Sequence, residues 1–412
     1  MSTPFDIQQV AVIGAGTMGR GIVVSLASSG LPVLWLDSSS ETLSAGLTMI
    51  EDTWQQQVDK QRITQIDADA NRRRVKPVDS YAALAEVDLV IEAVYESLEL
   101  KQEIFRALDA QLKPEAILAS NTSALDIDAI AAVTGRAQQV LGLHFFSPAH
   151  IMKLLEIVRG EHTAGPVLEA ARALAQRTGK VAVVAGNCPG FIGNRMLRSY
   201  VAEARKMLLE GALPHQVDEV LQQFGFSMGP FRMYDVVGID LEWRARQLAG
   251  QGMDAPLVQV DNALCELGRL GQKTGQGYYR YPSGSRRAEH DPQVDELVLE
   301  ISQGLCYRRR DIEAQEILDR CLLALVNEGA KILEEGIADS SHAIDQVWLN
   351  GYGFPTDTGG PMHWADEQGG QSVMARLEYL QGVLGDHWRP ARLIRQLAVS
   401  GKRFADVQEG RV

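Results

Sequence analysis

The sequence predicts an α/β domain with a parallel sheet followed by two tandem all-α domains of one kind, and three observations carry that prediction. From Val10 to about Gly186 short apolar runs alternate with amphipathic stretches, the pattern of parallel strands joined by crossover helices. After Asn187-Cys-Pro-Gly190 strand signals almost vanish and helical periodicity dominates. Within that helical part the chain repeats itself. Gly193-Asn-Arg-Met-Leu-Arg through Lys206-Met-Leu-Leu-Glu-Gly211 matches Leu318-Asp-Arg-Cys-Leu-Leu through Lys331-Ile-Leu-Glu-Glu-Gly336 at an offset of 125 residues.

The expected strands are Val10 to Ile13, Val33 to Leu36, Leu89 to Ala93, Ile117 to Ala119 and Val140 to Phe145. Helical patterns occupy Thr17 to Ser28, Glu41 to Lys60 and Leu98 to Leu112. The repeat continues as Val217-Asp218 against Ile344-Asp345, Gly225-Phe226 against Gly353-Phe354 and Gly229-Pro230 against Gly360-Pro361. These give domains at residues 1–186, 187–285 and 286–412, with a polar linker around Pro282 to Pro292.

Composition narrows the function. Of 412 residues 45% are hydrophobic and 23% charged, which excludes a disordered chain. The net charge of −13 opposes a nucleic-acid backbone, so an anionic small molecule needs a local basic pocket. Cys188, Cys265, Cys306 and Cys321 form no close pair, so free thiols and no metal site are expected. No basic segment precedes an apolar run at the N-terminus and no apolar stretch reaches membrane-spanning length. The Glu409-Gly-Arg-Val412 end lacks a peroxisomal address, and a cytoplasmic location is the expectation. Arg72-Arg-Arg74 and Arg308-Arg-Arg310 read as solvated helix ends rather than anion sites.

Gly14-Ala-Gly16-Thr-Met-Gly19 lies between an apolar strand and an amphipathic helix, where GxGxxG marks a Rossmann-type dinucleotide site. Gly14 makes the tight turn, Gly16 admits a pyrophosphate and Gly19 lets helix and strand pack closely. Asp37 ends the second strand, where a carboxylate accepts ribose hydroxyls and repels a 2′-phosphate. With Ser38-Ser39-Ser40 next and no Arg nearby, NAD is the expected cofactor rather than NADP.

Two apolar runs each carry one polar group, His144 in Leu141 to Pro148 and Glu156 in Leu154 to Val158. An acid inside an apolar run is costly to bury unless paired. The two positions are symmetric about His150, so a hairpin closed by Ser147 to Lys153 sets them side by side. A carboxylate on one imidazole nitrogen fixes the tautomer and strengthens the other nitrogen as a base toward an alcohol. A hydrogen-bonded core histidine is the alternative.

These stretches, with Val90-Ile-Glu-Ala-Val-Tyr-Glu96, Ala119-Ser-Asn-Thr-Ser123, Asn187-Cys-Pro-Gly-Phe-Ile-Gly-Asn-Arg195 and Gly271-Gln-Lys-Thr-Gly-Gln-Gly-Tyr-Tyr279, resemble the L-3-hydroxyacyl-CoA dehydrogenases. The second helical copy, with Leu349-Asn-Gly-Tyr-Gly-Phe-Pro355, resembles the dehydrogenase portion of the fatty-acid oxidation multifunctional enzymes. The resemblance implies a Rossmann-type NAD-binding domain followed by two tandem all-α 3-hydroxyacyl-CoA dehydrogenase C-terminal domains. It implies oxidation of an L-3-hydroxyacyl-CoA by NAD, as in β-oxidation, with His144 as base and Glu156 as its partner.

Ser123 and Asn194 then hold the substrate oxygen and the nicotinamide region, and Met18, Glu96, Lys101 and Lys273 match cofactor-side positions. Thr53 and Lys60 match positions that contact coenzyme A. Ser147 stands where the family often has Asn, a form the peroxisomal-type multifunctional enzymes share, and it bears on acyl or thioester positioning. Because the nucleotide-binding strand begins at Val10, the enoyl-CoA hydratase domain of the multifunctional enzymes is not expected.

The rival readings are a dehydrogenase of free hydroxy acids and a non-catalytic NAD-binding protein. Single-function family members dimerise through their one helical domain, so two copies in one chain imply a monomer by intramolecular pairing, or a dimer built on some other surface. The second copy reads as structural, since Asp319 replaces Asn194 and no counterpart of His144 precedes it.

Overall fold

The computed structural model describes residues 5–283 and 285–407; the Glu409 to Val412 end considered above lies outside them. The chain divides into two compact units, one of residues up to Asn194 with Ile332–Tyr352 and Val407, the other of Arg195–Lys331 with Gly353–Asp406.

The first unit is built on an eight-stranded sheet. Its elements run β1 (Val10–Ile13), α1 (Thr17–Ser28), β2 (Val33–Leu36), α2 (Ser40–Asp59), α3 (Gln65–Arg74), β3 (Val75–Val78), β4 (Leu89–Glu92), α4 (Leu98–Gln111), β5 (Ile117–Ser120), α5 (Ile127–Ala131), β6 (Val140–Phe145), β7 (Leu154–Arg159), α6 (Gly165–Arg177) and β8 (Val181–Gly186). The sheet order is β3-β2-β1-β4-β5-β6-β7-β8. All neighbours pair parallel except β6 and β7, the hairpin that carries His144 and Glu156. The central strands are apolar but for Glu92 and Ser120 at the ends of β4 and β5, because helices cover both faces, and every residue of β1, β4 and β5 is buried. The order reverses at β1, which lies between β2 and β4, so the crevice beyond the carboxyl ends of β1 and β4 is the ligand position of such a sheet.

Two edge strands were not among those expected. In β3, Lys76 and Pro77 interrupt the apolar pattern, which only an edge strand tolerates. The other edge, β8, is covered by distant chain: Gly186 N–H donates to the Ile337 carbonyl at 2.7 Å, and Ala185 bridges Ala338. The helix that follows this segment, α14, packs on β7 and β8, so part of the second repeat copy completes the first unit.

The helical part contains α7 (Gly193–Glu210), α8 (Pro214–Phe224), α9 (Pro230–Val237), α10 (Asp240–Ala249), α11 (Gln259–Glu266), α12 (Pro292–Gly304), α13 (Ala314–Glu334), α14 (Ser341–Gly351), α15 (Pro361–Gln368), α16 (Gly370–Leu384) and α17 (Arg392–Ser400). The order α7 to α11 recurs as α13 to α17. Inside the second unit the two copies meet reciprocally. Arg320 binds Glu203 (3.0 Å) and Glu210 (2.5 Å), while Arg195, its equivalent, binds Glu328, the equivalent of Glu203, at 2.7 Å. Contacts exchanged in this way are those of a two-fold interface, here formed inside one chain.

Each copy also closes with the same device. Asp235 accepts the Tyr278 and Tyr279 N–H groups and the Tyr281 hydroxyl. Its equivalent Asp366 accepts the Phe404 and Ala405 N–H groups. Among the described residues no disulfide joins the four cysteines, and no helix is long and apolar enough to cross a membrane.

Candidate active site

The glycine turn has the form a dinucleotide requires. Gly14 sits at φ +106°, and a Cβ there would stand 2.6 Å from the Ala93 carbonyl oxygen. A Cβ on Gly19 would collide with the Gly14 carbonyl, whereas one on Gly16 would meet no atom within 4 Å. Gly14 and Gly19 are therefore glycines for packing, and Gly16 is bare toward open space. The first turn of α1 has neither a side-chain cap nor an acidic residue. Its N–H groups are left for an anion, which matches a pyrophosphate. Ser39 caps α2 and Ser97 caps α4 in the usual way.

Asp37 has two tasks, since Oδ2 accepts the Ala15 N–H at 2.6 Å and Oδ1 the Ser39 N–H at 2.9 Å. It braces the glycine turn while presenting its charge at the end of β2. Met18 is partly buried against the core.

Glu96, Lys101 and Ser123 come together. Glu96 Oε1 accepts the Thr122 hydroxyl (2.5 Å) and the Ser123 N–H (3.0 Å), and Oε2 lies 3.3 Å from Lys101 Nζ. The lysine is 1% exposed and mainly serves another acid, Glu92, whose two oxygens lie 2.7 and 2.9 Å away. Glu92 also accepts the Val94 N–H and the Ser120 hydroxyl. A buried ion pair persists when its remaining lone pairs are satisfied, as they are here. Sequence reasoning missed Glu92, although an acid inside the apolar run Leu89 to Ala93 is the signal that singled out Glu156.

The hairpin sets His144 opposite Glu156 in register. His144 Nδ1 is 2.7 Å from Glu156 Oε2, with the histidine 5% and the glutamate 0% exposed. Glu156 Oε1 accepts the N–H groups of Ile192 (3.2 Å) and Gly193 (2.9 Å), so the carboxylate lies at the N-terminus of α7, which favours its negative charge. Phe191, held at φ +52°, packs on the His144 ring with centroids 5.7 Å apart, and Phe146 lies 4.3 Å away on the same ring. A bulky residue at positive φ is strained, and here the strain sits where the chain turns two amides onto Glu156. Among the described residues His144 Nε2 has no hydrogen-bond partner, which leaves it for a ligand.

Asn194 follows immediately, its Nδ2 3.4 Å from the Ser123 carbonyl and its Oδ1 accepting the Tyr352 hydroxyl at 2.8 Å. Burial, and then the charge of Glu156, push the Tyr352 phenol well above the usual tyrosine range, so it remains a donor. The first unit thus gathers His144, Glu156, Ser123, Asn194, Glu96 and Lys101. Ser147 is exposed beyond Phe146. Thr53 turns its hydroxyl back to the Met49 carbonyl, and Lys60 stands exposed at the end of α2 without an acidic partner among the described residues. Lys273 belongs to the second unit, where it pairs with Asp240.

Lys180 is a further residue sequence reasoning missed. Its ammonium donates to the Ala149 and Met152 carbonyls and so ties down the hairpin loop. Among the described residues one group of metal-ligating types lies close together, His215, His290 and Asp295, with ligand atoms within 4.8 Å. His290 and Asp295 already bond each other at 2.7 Å.

Comparison with known proteins gives this geometry a context. Residues 9–188 match the family described as 3-hydroxyacyl-CoA dehydrogenase, NAD binding domain, and residues 190–281 and 317–410 match its C-terminal domain. The chain is 44% identical to a peroxisomal bifunctional enzyme of Danio rerio, over 97% of this chain and 57% of that protein. It is 34% identical to a fatty acid oxidation complex subunit alpha of Pseudomonas putida, over 97% of this chain and 56% of that protein. The chain thus spans little more than half the length of these curated relatives. Among solved structures, the 3-hydroxybutyryl-CoA dehydrogenase from Escherichia coli superposes with a TM-score of 0.82 at 30% identity, covering 96% of this chain and 99% of that one. The dehydrogenase part of multifunctional enzyme 1 from C. elegans gives 0.69 at 27% identity, over 95% of this chain and 90% of that one.

Proposed function

The chain belongs to the 3-hydroxyacyl-CoA dehydrogenase family, and from that premise we propose that it oxidises an L-3-hydroxyacyl-CoA to the 3-oxoacyl-CoA with NAD, in β-oxidation or related acyl-CoA catabolism. The observation that carries the reading is the His144–Glu156 pair, buried at 2.7 Å with Nε2 of the imidazole open. Bound NAD supplies the hydride acceptor. His144 Nε2 takes the proton of the 3-hydroxyl as the carbonyl forms. Glu156 holds Nδ1–H and balances the imidazolium, and its own charge is held by the Ile192 and Gly193 amides.

Asn194 and Ser123 orient the substrate oxygen and the nicotinamide edge. Glu96 is the cofactor-side acid that Thr122 and Lys101 hold in place, and Lys101 with its partner Glu92 is a positioning element rather than a free cation. Asp37 selects the unphosphorylated ribose. The exposed charge of Lys60 suits a coenzyme A phosphate, with Thr53 on the same helix, and Ser147 borders the acyl side. Lys273 has its charge matched by Asp240, which weakens the case for a direct cofactor contact.

We read residues 1–186 as the NAD-binding domain and 187–285 and 286–412 as the two helical copies. The reciprocal Arg195–Glu328 and Arg320–Glu203 pairs support a monomer whose copies cover each other. A panel of L-3-hydroxyacyl-CoA substrates from short to long chains, with free hydroxy acids beside it, tests the function through NADH absorbance. Turnover of the thioesters with NAD is expected. Turnover of the free acids alone would transfer the reading to the first rival, and no turnover of either to a non-catalytic NAD binder.

A further inference from the structure

The second repeat copy places one side chain against the reaction centre. We propose that Tyr352 is a positioning residue for the dehydrogenase reaction, its hydroxyl fixing the side-chain amide of Asn194; this rests on the reading of Asn194 as a residue that holds the substrate and nicotinamide. The hydroxyl donates to Asn194 Oδ1 at 2.8 Å. An amide whose oxygen accepts that bond turns its NH2 group the other way, and this sets which end of Asn194 a ligand meets. The tyrosine ring meets Phe146 edge-on at 5.6 Å, and Phe146 packs on His144 at 4.3 Å, so one side chain braces both the amide and the aromatic wall of the base.

The approach has been made room for. A Cβ on Gly193 would stand 2.5 Å from the Tyr352 hydroxyl oxygen, so only glycine at this first position of α7 lets the phenol reach Asn194.

The repeat supplies an internal control. At the equivalent positions the two copies differ together. Gly193-Asn194 in the first copy corresponds to Leu318-Asp319 in the second, and the residue before the Gly-Phe pair is Phe224 in the first copy and Tyr352 in the second. Asp319 is held by Arg376, which lies over the Trp364 ring, and Phe224 meets that same ring edge-on. The hydroxyl and the glycine that admits it therefore occur only where an asparagine must be oriented. Where an aspartate in an ion pair stands in place of the asparagine, neither the glycine nor the hydroxyl is present.

The test is a double-mutant cycle on the full chain with Tyr352→Phe, Asn194→Ala and the double variant, reading kcat, KM, NAD affinity and melting temperature. Tyr352→Phe keeps the ring, so NAD affinity and melting should stay near wild type while kcat falls roughly 3- to 10-fold, the scale of one lost hydrogen bond. In the Asn194→Ala background the same change should have no further effect on kcat. An impaired Asn194→Ala beside a wild-type Tyr352→Phe overturns the proposal and leaves the dehydrogenase reading intact. So does an equal kcat loss from Tyr352→Phe on both backgrounds, which would mark a general structural role. A fully active Asn194→Ala overturns both the proposal and the reading of Asn194 beneath it.

Discussion

The two copies of the helical repeat agree in the groups that hold the repeat together and disagree in the groups around Asn194. Arg195 and Arg320, Glu203 and Glu328, and Asp235 and Asp366 are the same residue types making the same kind of contact. Asn194 and Asp319 occupy equivalent places, yet one joins Ser123 and Tyr352 while the other joins Arg376. Pairing a helical surface with its own duplicate constrains both copies equally, because each arginine needs the other copy's glutamate. On the proposed function, service to a reaction centre constrains only the first copy. In the second copy the equivalent position forms an ion pair instead, and that copy covers β7 and β8 and carries Tyr352.

The sharpest way to break this contrast is to change the divergent pair. On the proposed role of Asn194, Asn194→Ala should lower kcat by roughly 10²-fold or more, the scale of losing one hydrogen bond to the reacting oxygen. Asp319→Asn should leave kcat unchanged and lower only the melting temperature. Comparable kcat losses from both would erase the distinction between the copies.

The conserved ion pairs should differ by burial. Arg320 is fully buried, so Arg320→Ala takes the guanidinium from Glu203 and Glu210, leaving them, among the described residues, only His387 and Lys206, and should cost about 3 kcal/mol in chemical denaturation. Arg195→Ala, at a more exposed pair, should cost about 1–2 kcal/mol after screening. If Arg195→Ala proved the more damaging, the burial argument would fail. The closing aspartates follow the same logic. Asp235→Ala leaves two buried amides and a hydroxyl without an acceptor and should cost about 2–3 kcal/mol, against about 1 kcal/mol for the half-buried Asp366.

The smallest effect is on pH. Burial pushes Asp218 up to about 7 and Asp235 up to about 6, above the ordinary carboxylate value of 3.8. In that window the folded state keeps protons that the unfolded chain has released, so these groups add stability at acidic pH and lose it as pH rises through about 7. Melts at about pH 5.5 and about pH 7.5 should favour the acidic condition in wild type, with a smaller difference in Asp218→Asn. An unchanged difference in the variant would remove Asp218 as the source.

Much of this was legible in the sequence because its signals are local. The glycine turn, the strands of unbroken apolar residues and the mirrored His144 and Glu156 each announce themselves within a short window, and β1, β2, β6 and α1 begin and end where the apolar runs do. What was not legible depends on long-range contact. Tyr352 lies 158 residues from Asn194 and, in sequence, is one more aromatic residue before a glycine. The cover of β8 comes from Ile337 and Ala338, which carry no local mark of a sheet edge. Glu92 is the exception: the rule that found Glu156 finds it too, and Lys101, expected to serve the cofactor directly, is held first by that buried acid.

The proposed chemistry rests on the imidazole of His144, held by Glu156, acting as the base. Its most direct test is His144→Gln in the full chain, with kcat followed by NADH absorbance, NAD affinity by nucleotide fluorescence and folding by circular dichroism melting. The expected outcome is a folded protein with near wild-type NAD affinity and a kcat reduced by roughly 10²–10⁴-fold. A folded His144→Gln protein that turns over at the wild-type rate would contradict it.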